Sequence, residues 1–215
     1  MGRLALIPSA PVLLPDVDLS ETESVAEVRA GIRATLTSAD RWALPVDMLP
    51  TLLGLGGFGI DRGIDTRTGK RLDGADWVEA ATELDEAERE HCVTAHPGLS
   101  VASLHAHDAG VTIGPLGSSD DILIPIDLSA AASADSPLAP VAGAREFDTA
   151  VVDAVRAGDL ERLRDLVGKA AAVHADLDLL GRALGTTTTT SRHRTTIIVD
   201  TTVHDVRTLC AEIEY

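Results

Sequence analysis

Two places in this 215-residue sequence put polar, potentially reactive side chains directly after apolar runs. Leu4-Ala5-Leu6-Ile7 leads into Pro8-Ser9-Ala10-Pro11, and Ile122-Leu123-Ile124-Pro125-Ile126 leads into Asp127-Leu128-Ser129-Ala130. A short continuous apolar run reads as a buried strand, and ligands of open α/β sheets collect at the carboxyl ends of the strands. Ser9 is therefore expected at one carboxyl-terminal strand edge and Asp127 and Ser129 at another. A hydroxyl held between two stiffening prolines is a poor metal ligand. Asp127 and Ser129 also have the side chains that cap turns and helices. No Ser-His-Asp arrangement assembles from local motifs, because a triad is defined by geometry.

The histidines offer a second chemistry. His105 and His107 are two residues apart, so on a strand they would face one side and could share a metal with Asp108. His91, Cys92 and His96 form a looser cluster whose spacing matches no standard ligand pattern. His91, His96, His105 and His107 together are the alternative source of a metal site. His174, His193 and His204 stand alone and read as surface or capping residues. Gly54-Leu55-Gly56-Gly57-Phe58-Gly59 spells the dinucleotide fingerprint, but no strand ends before it and no helix follows, so it reads as a loop.

Positioning such residues requires a scaffold. Ser20 and Glu23 have capping-box spacing ahead of Val25, Val28 and Ile32, predicting a helix over 21–36. Residues 41–46 suit a second strand, and 53–74, dense in Gly, Asp and Thr, suit loops around one short strand. Asp76 can cap a helix carrying Trp77, Ala81 and Leu84 that ends before His96. Residues 130–144 read as an extended loop. Phe147, Val151, Ala154 and Val155 share a helix face; Gly158 then stops that helix and Asp159 caps one bearing Leu160, Leu163 and Val167. Val173, Leu177, Leu180 and Leu184 mark another helix, ended at Gly185, and 186–190 read as a linker. Thr195 to Val199 is a β-branched strand. Leu209, Ala211, Ile213 and Tyr215 alternate with polar positions, predicting a half-exposed antiparallel strand at an edge or interface.

Bulk properties narrow the function classes. A formal charge of -16 argues against nucleic acid or anionic membrane as partner. Trp42, Trp77, Phe58, Phe147 and Tyr215 are the only aromatic residues of these three types, too few for a base-stacking platform. No apolar stretch has bilayer-spanning length, and the N-terminus lacks signal-peptide features, so a cytoplasmic location is expected. Cys92 and Cys210 are expected as reduced thiols. The length suits a single domain over 1–215, an α/β fold with a central mixed, largely parallel sheet flanked by helices.

Leu6-Ile7-Pro8-Ser9-Ala10-Pro11-Val12-Leu13-Leu14-Pro15-Asp16-Val17 resembles the opening of the class III extradiol ring-cleavage dioxygenase superfamily, catalytic B-subunit type. The resemblance continues through Ile126-Asp127-Leu128-Ser129, Ser136-Pro137, Glu146-Phe147-Asp148 and Gly158-Asp159-Leu160-Glu161-Arg162-Leu163, and covers about half the chain. It implies that family's fold, a non-haem Fe(II) held by two histidines and a glutamate, a further histidine as acid/base, and a catechol substrate. The family's Pro-His is here Pro8-Ser9, and its Asp-Leu-Ser-His is Asp127-Leu128-Ser129-Ala130. No histidine precedes His91 to serve as the second ligand, and the late glutamate falls near Val173-His174. The expectation is a non-catalytic relative of these enzymes without a cofactor, binding a small molecule or a protein partner, with the family's emptied cleft, here lined by Ser9, Asp127, Ser129 and Ala130, as its ligand site. The alternatives are a Fe(II) enzyme with relocated ligands and a homodimer formed through the final strand.

Overall fold

The computed structural model describes residues 2–15, 17–18, 22–187 and 193–215. A six-stranded mixed sheet is the backbone of this α/β fold, in the order β6-β2-β7-β1-β9-β8. Its strands are β1 (Arg3–Pro8), β2 (Arg41–Ala43), β6 (Thr112–Gly114), β7 (Ile122–Ile126), β8 (Arg194–Val203) and β9 (Val206–Glu214). β6, β2, β7 and β1 run parallel, while β9 lies antiparallel between β1 and β8. Helices α1 (Glu23–Leu36), α4 (Pro97–Ala109), α5 (Ala144–Ala157), α6 (Leu160–Val167) and α7 (Asp178–Thr186) supply most of the remaining core.

β7 is buried at every position, as its unbroken apolar sequence requires of a central strand. Pro125 is tolerated there for a specific reason. Ile126 directs its carbonyl to the β1 side, where it accepts from Ser9 N at 3.0 Å, so the ring nitrogen of Pro125 falls on the β2 side. Pairing with β2 has already ended at Ile122, so no ladder bond is lost.

α1 starts from Thr22, whose Oγ1 accepts from Val25 N at 3.3 Å; the expected cap Ser20 lies outside the described residues. Its buried stripe includes Gly31, where a β-carbon would lie 2.4 Å from Val199 Cγ2, so glycine sets the distance between this helix and β8. α5 ends at Gly158 in the left-handed region, and Asp159 caps α6 by accepting from Arg162 N at 2.9 Å, as expected.

Several expectations are corrected. Residues 53–74 are largely an antiparallel meander of β3 (Leu52–Gly54), β4 (Arg62–Asp65) and β5 (Lys70–Asp73), not loops around one strand. The glycine fingerprint belongs to it: Gly54 pairs with Gly63, and the Trp77 indole packs on both, with no room for a β-carbon at either. The single helix expected before His96 is two, α2 (Ala75–Glu83) and α3 (Glu86–Thr94). Asp85 and Glu88 form a reciprocal capping box that restarts the chain as α3, and Gly74, not Asp76, is the N-cap of α2.

His105 and His107 lie on α4 and not on a strand. That helix has His96 as N-cap, Pro97 at N1 and left-handed Gly110 behind it. Val173 belongs to a 3₁₀ turn, Ala170–Val173, which leaves α7 to begin at Asp178 and to run past Gly185. Of the expected linker, Thr188 to Thr190 lie outside the described residues. The final strand is interior: β9 is hydrogen-bonded on both sides, Thr208 through Ala211 are buried on both of its faces, and β8 is the edge. Among the described residues no helix is long and apolar enough to cross a membrane.

Candidate functional site

Because β1 and β7 are parallel neighbours, in register at Pro8 and Ile126, their carboxyl ends deliver Ser9 and Asp127 side by side. Ser9 N donates to Asp127 Oδ1 at 3.1 Å, and Ser9 Oγ donates a short hydrogen bond to Asp127 Oδ2. The backbones of Asp127 and Asp176 then exchange two hydrogen bonds, 2.9 and 2.8 Å, outside any regular strand. That bridge carries Asp176 to the same edge of the sheet.

His96 completes the cluster. Its Nε2 lies 2.8 Å from Asp176 Oδ2, while its Nδ1 accepts from Gly98 N at 3.1 Å. The first turn of α4 packs so closely that a β-carbon at Gly98 would lie 2.9 Å from Pro125 Cβ and 3.1 Å from Ser9 Cβ. Burial pushes the Asp127 carboxyl up to about 6, against the bonds from Ser9, with Asp176 adding to the rise and His96 opposing it. The hydrogen bond from His96 holds Asp176 below the ordinary carboxylate range.

The other two expected cleft residues divide. Ala130 lines the cleft, its N–H donating to His174 O at 3.2 Å. Ser129 does not: it is wholly buried, with Oγ donating to Val173 O at 2.5 Å and accepting from Ala131 N at 3.0 Å. Its N–H donates to Asp148 Oδ1 at 2.9 Å. Ser129 is a tie between the end of β7, α5 and the 3₁₀ turn.

Above Asp127 opens a cavity of about 720 Å³. Pro8, Pro11 and Leu13 form one wall, Ile126, Leu128 and Ala130 the floor, and Val203, Val206 and Leu209 of the β8–β9 hairpin the opposite wall. The lining is apolar apart from Asp127, Asp176, His174, His204, Arg207 and Thr208. His174, His204 and Asp205 are the non-glycine residues with positive φ among those described, at 54°, 47° and 62°. His204 and Asp205 form the two-residue hairpin loop, where positive φ at both positions matches the strand twist. For an L-residue each costs on the order of 1 kcal/mol. Two imidazoles are thus held at the cavity in a conformation glycine would adopt at lower cost, and His204 Nε2 is pinned to Asp18 Oδ2 at 2.8 Å.

The alternative metal set does not converge. His91 is on α3 and His96 caps α4, whereas His105, nine helical residues further on, is about 13 Å away along the axis. His105 and His107 point to different sides of that helix, because two residues advance about 200°. His105 is buried, its Nε2 has no hydrogen-bond partner among the described residues, and burial pushes its pKa down to about 4. Among the described residues, the one trio able to offer ligand atoms within 4.8 Å of one another is His96, Asp176 and Asp178. It fits Fe(II) poorly. The single lone pair of neutral imidazole sits on Nδ1 and accepts from Gly98, which leaves the proton on Nε2, donated to Asp176. Nor does His96 activate Ser9, whose hydroxyl faces a carboxylate and not an imidazole.

Asp176, His174 and His204 are functional candidates that the sequence reading passed over. The available signal was His204-Asp205 as a two-residue loop between β-branched runs, which brings its residues back toward the sheet end. No family model matches this chain, and no curated protein matches it.

Proposed function

We propose that this chain is a non-catalytic α/β protein of class III extradiol dioxygenase type that binds a small, mostly apolar molecule at the carboxyl ends of β1 and β7. The observation that carries the reading is Asp127, a carboxyl beneath an apolar cavity of about 720 Å³, within the range of small-molecule sites. Such a floor selects a ring-sized body with a hydroxyl or amine directed at Asp127. The apolar walls take up the body by removing its surface from water. Ser9 orients the carboxylate through two hydrogen bonds. The resemblance in the first strand and in Asp127-Leu128-Ser129 supports the family assignment, and the hydroxyl of Ser9 and methyl of Ala130 where ligand and acid/base histidines would stand support the loss of ring cleavage. A cytoplasmic setting fits the two free thiols, Cys92 and Cys210.

Calorimetric titration with 4-methylcatechol, phenol and a saturated alcohol of similar size tests the reading. Saturable one-to-one binding is expected, weakened about tenfold or more by Asp127→Asn, equivalent to at least about 1.4 kcal/mol. Ala130→Trp, which fills the cavity, should abolish it. No binding by any of the three compounds would overturn the site. Stoichiometric iron retained by untagged protein after anaerobic incubation with Fe(II) would overturn the non-catalytic reading.

A further inference from the structure

A second cavity, of about 650 Å³, lies between α2, α3, β3 and the start of α4 and meets the first at Phe58. Its floor is the Trp77 ring, Leu84 and Cys92. Three large apolar side chains rim it while exposed to solvent: Phe58 at 55 %, Val78 at 46 % and Val93 at 79 %. Exposed apolar residues gathered round one groove mark an interaction surface, whereas isolated ones do not.

The charge around the groove is of one dominant sign. Glu86, Glu90 and Val93 fall on one stripe of α3, at spacings of four and three, so two exposed carboxylates stand in line with the most exposed apolar residue. Asp61 lines the groove itself. Arg89 is the basic residue in the lining, and its guanidinium donates to Leu84 O at 2.9 Å. The groove cannot accept an added strand along β3, because the N–H of Leu52 on that edge already donates to Cys92 Sγ at 3.4 Å. Its walls are two nine-residue helices, about 13 Å each, which matches some two and a half turns of a docked helix.

We infer that this groove is a docking site for a basic amphipathic helix of a partner protein, which lays apolar residues spaced three and four apart over Trp77 and Val93 and sets lysines or arginines against Asp61, Glu86 and Glu90. Phe58 lines both cavities, but the residues that carry this proposal, Trp77, Val93, Glu86 and Glu90, do not line the Asp127 cavity, so the two readings can be tested separately. Association should be steered by charge and weaken steeply with salt.

The test uses the full chain and an 18-residue Leu/Lys peptide of amphipathic design, beside a scrambled peptide of the same composition. Trp77 reports binding by its emission, because Trp42 is buried within the main sheet and distant from the groove lining. Saturable binding of the amphipathic peptide alone is expected, weakened at least tenfold by Val93→Asp and by the pair Glu86→Lys and Glu90→Lys. Both changes are at exposed positions, and an unchanged circular dichroism melt confirms that the fold is intact. Equal binding of the scrambled peptide, or full affinity in Val93→Asp, would overturn the assignment. So would a concentration-dependent dimer that Val93→Asp dissolves, which gives the groove to a second copy.

Discussion

Asp127 and His105 are both driven away from their ordinary pKa values by burial, and the consequences for stability have opposite signs. Folded Asp127 holds its proton up to about pH 6, so its stabilising contribution is complete below the ordinary carboxylate pKa and is lost as pH rises through about 6. Asp148, likewise pushed up to about 6 by burial, behaves in the same way. His105 must release its proton to fold; it contributes nothing adverse above about 6.5 and penalises the fold increasingly as pH falls toward about 4. For the deeply buried Asp127 and His105 each effect amounts to about 3 kcal/mol when fully developed, and for Asp148 to less. In urea titrations between pH 4 and 6.5, Asp127→Asn should flatten the decline of stability with rising pH, and His105→Leu should steepen it. His105→Leu should also gain about 1–2 kcal/mol at pH 7, since it removes an unpartnered buried nitrogen. Ser9 and Asp127 were legible as a pair because neighbouring parallel strands bring their ends together. Asp176 was not, because only the backbone bridge to Asp127, closed across 49 residues of chain, carries it there.

Elements were legible where one face is buried and the other wet. α5 and α6 follow their periodicity and caps closely, and β7, buried on both faces, is legible instead from its unbroken apolar run. α4 escaped recognition because Gly98 through Ala106 are all buried, and a helix covered on all sides loses the contrast on which periodicity depends. The meander escaped because its strands are three or four residues long and carry glycine where the Trp77 ring needs flat backbone. That packing makes a sharp prediction. A β-carbon at Gly54 would lie 2.1 Å from Trp77 Cη2, and one at Gly63 2.3 Å from its Cζ3 and 2.5 Å from Leu53 O. Gly54→Ala and Gly63→Ala should each cost about 2 kcal/mol or more in thermal unfolding, through overpacking. Gly57→Ala, which meets nothing within 4 Å, should change the melt by less than about 1 kcal/mol.

At the scale of the whole molecule, the parallel half of the sheet builds the cleft and the antiparallel hairpin closes it. The alternation in the last strand correctly announced a strand, but its place inside the sheet depends on β1 pairing along one edge and β8 along the other, which no local pattern reveals. β9 pairs Glu214 with Arg3 and Ala211 with Leu6, so β1, the parallel strand beside the antiparallel hairpin, gains its second neighbour from about 200 residues further along the chain. Contacts separated by some 200 residues carry a high loop-closure cost and slow folding. During synthesis β1 must therefore wait, one edge unpaired, until residues 206–214 have left the ribosome. Protein lacking those residues should expose β1, bind a hydrophobic dye and aggregate on refolding, whereas the full chain should refold in a slow but single cooperative phase. The strand at the head of the candidate cleft is thus the one whose maturation is timed by a partner made about 200 residues later.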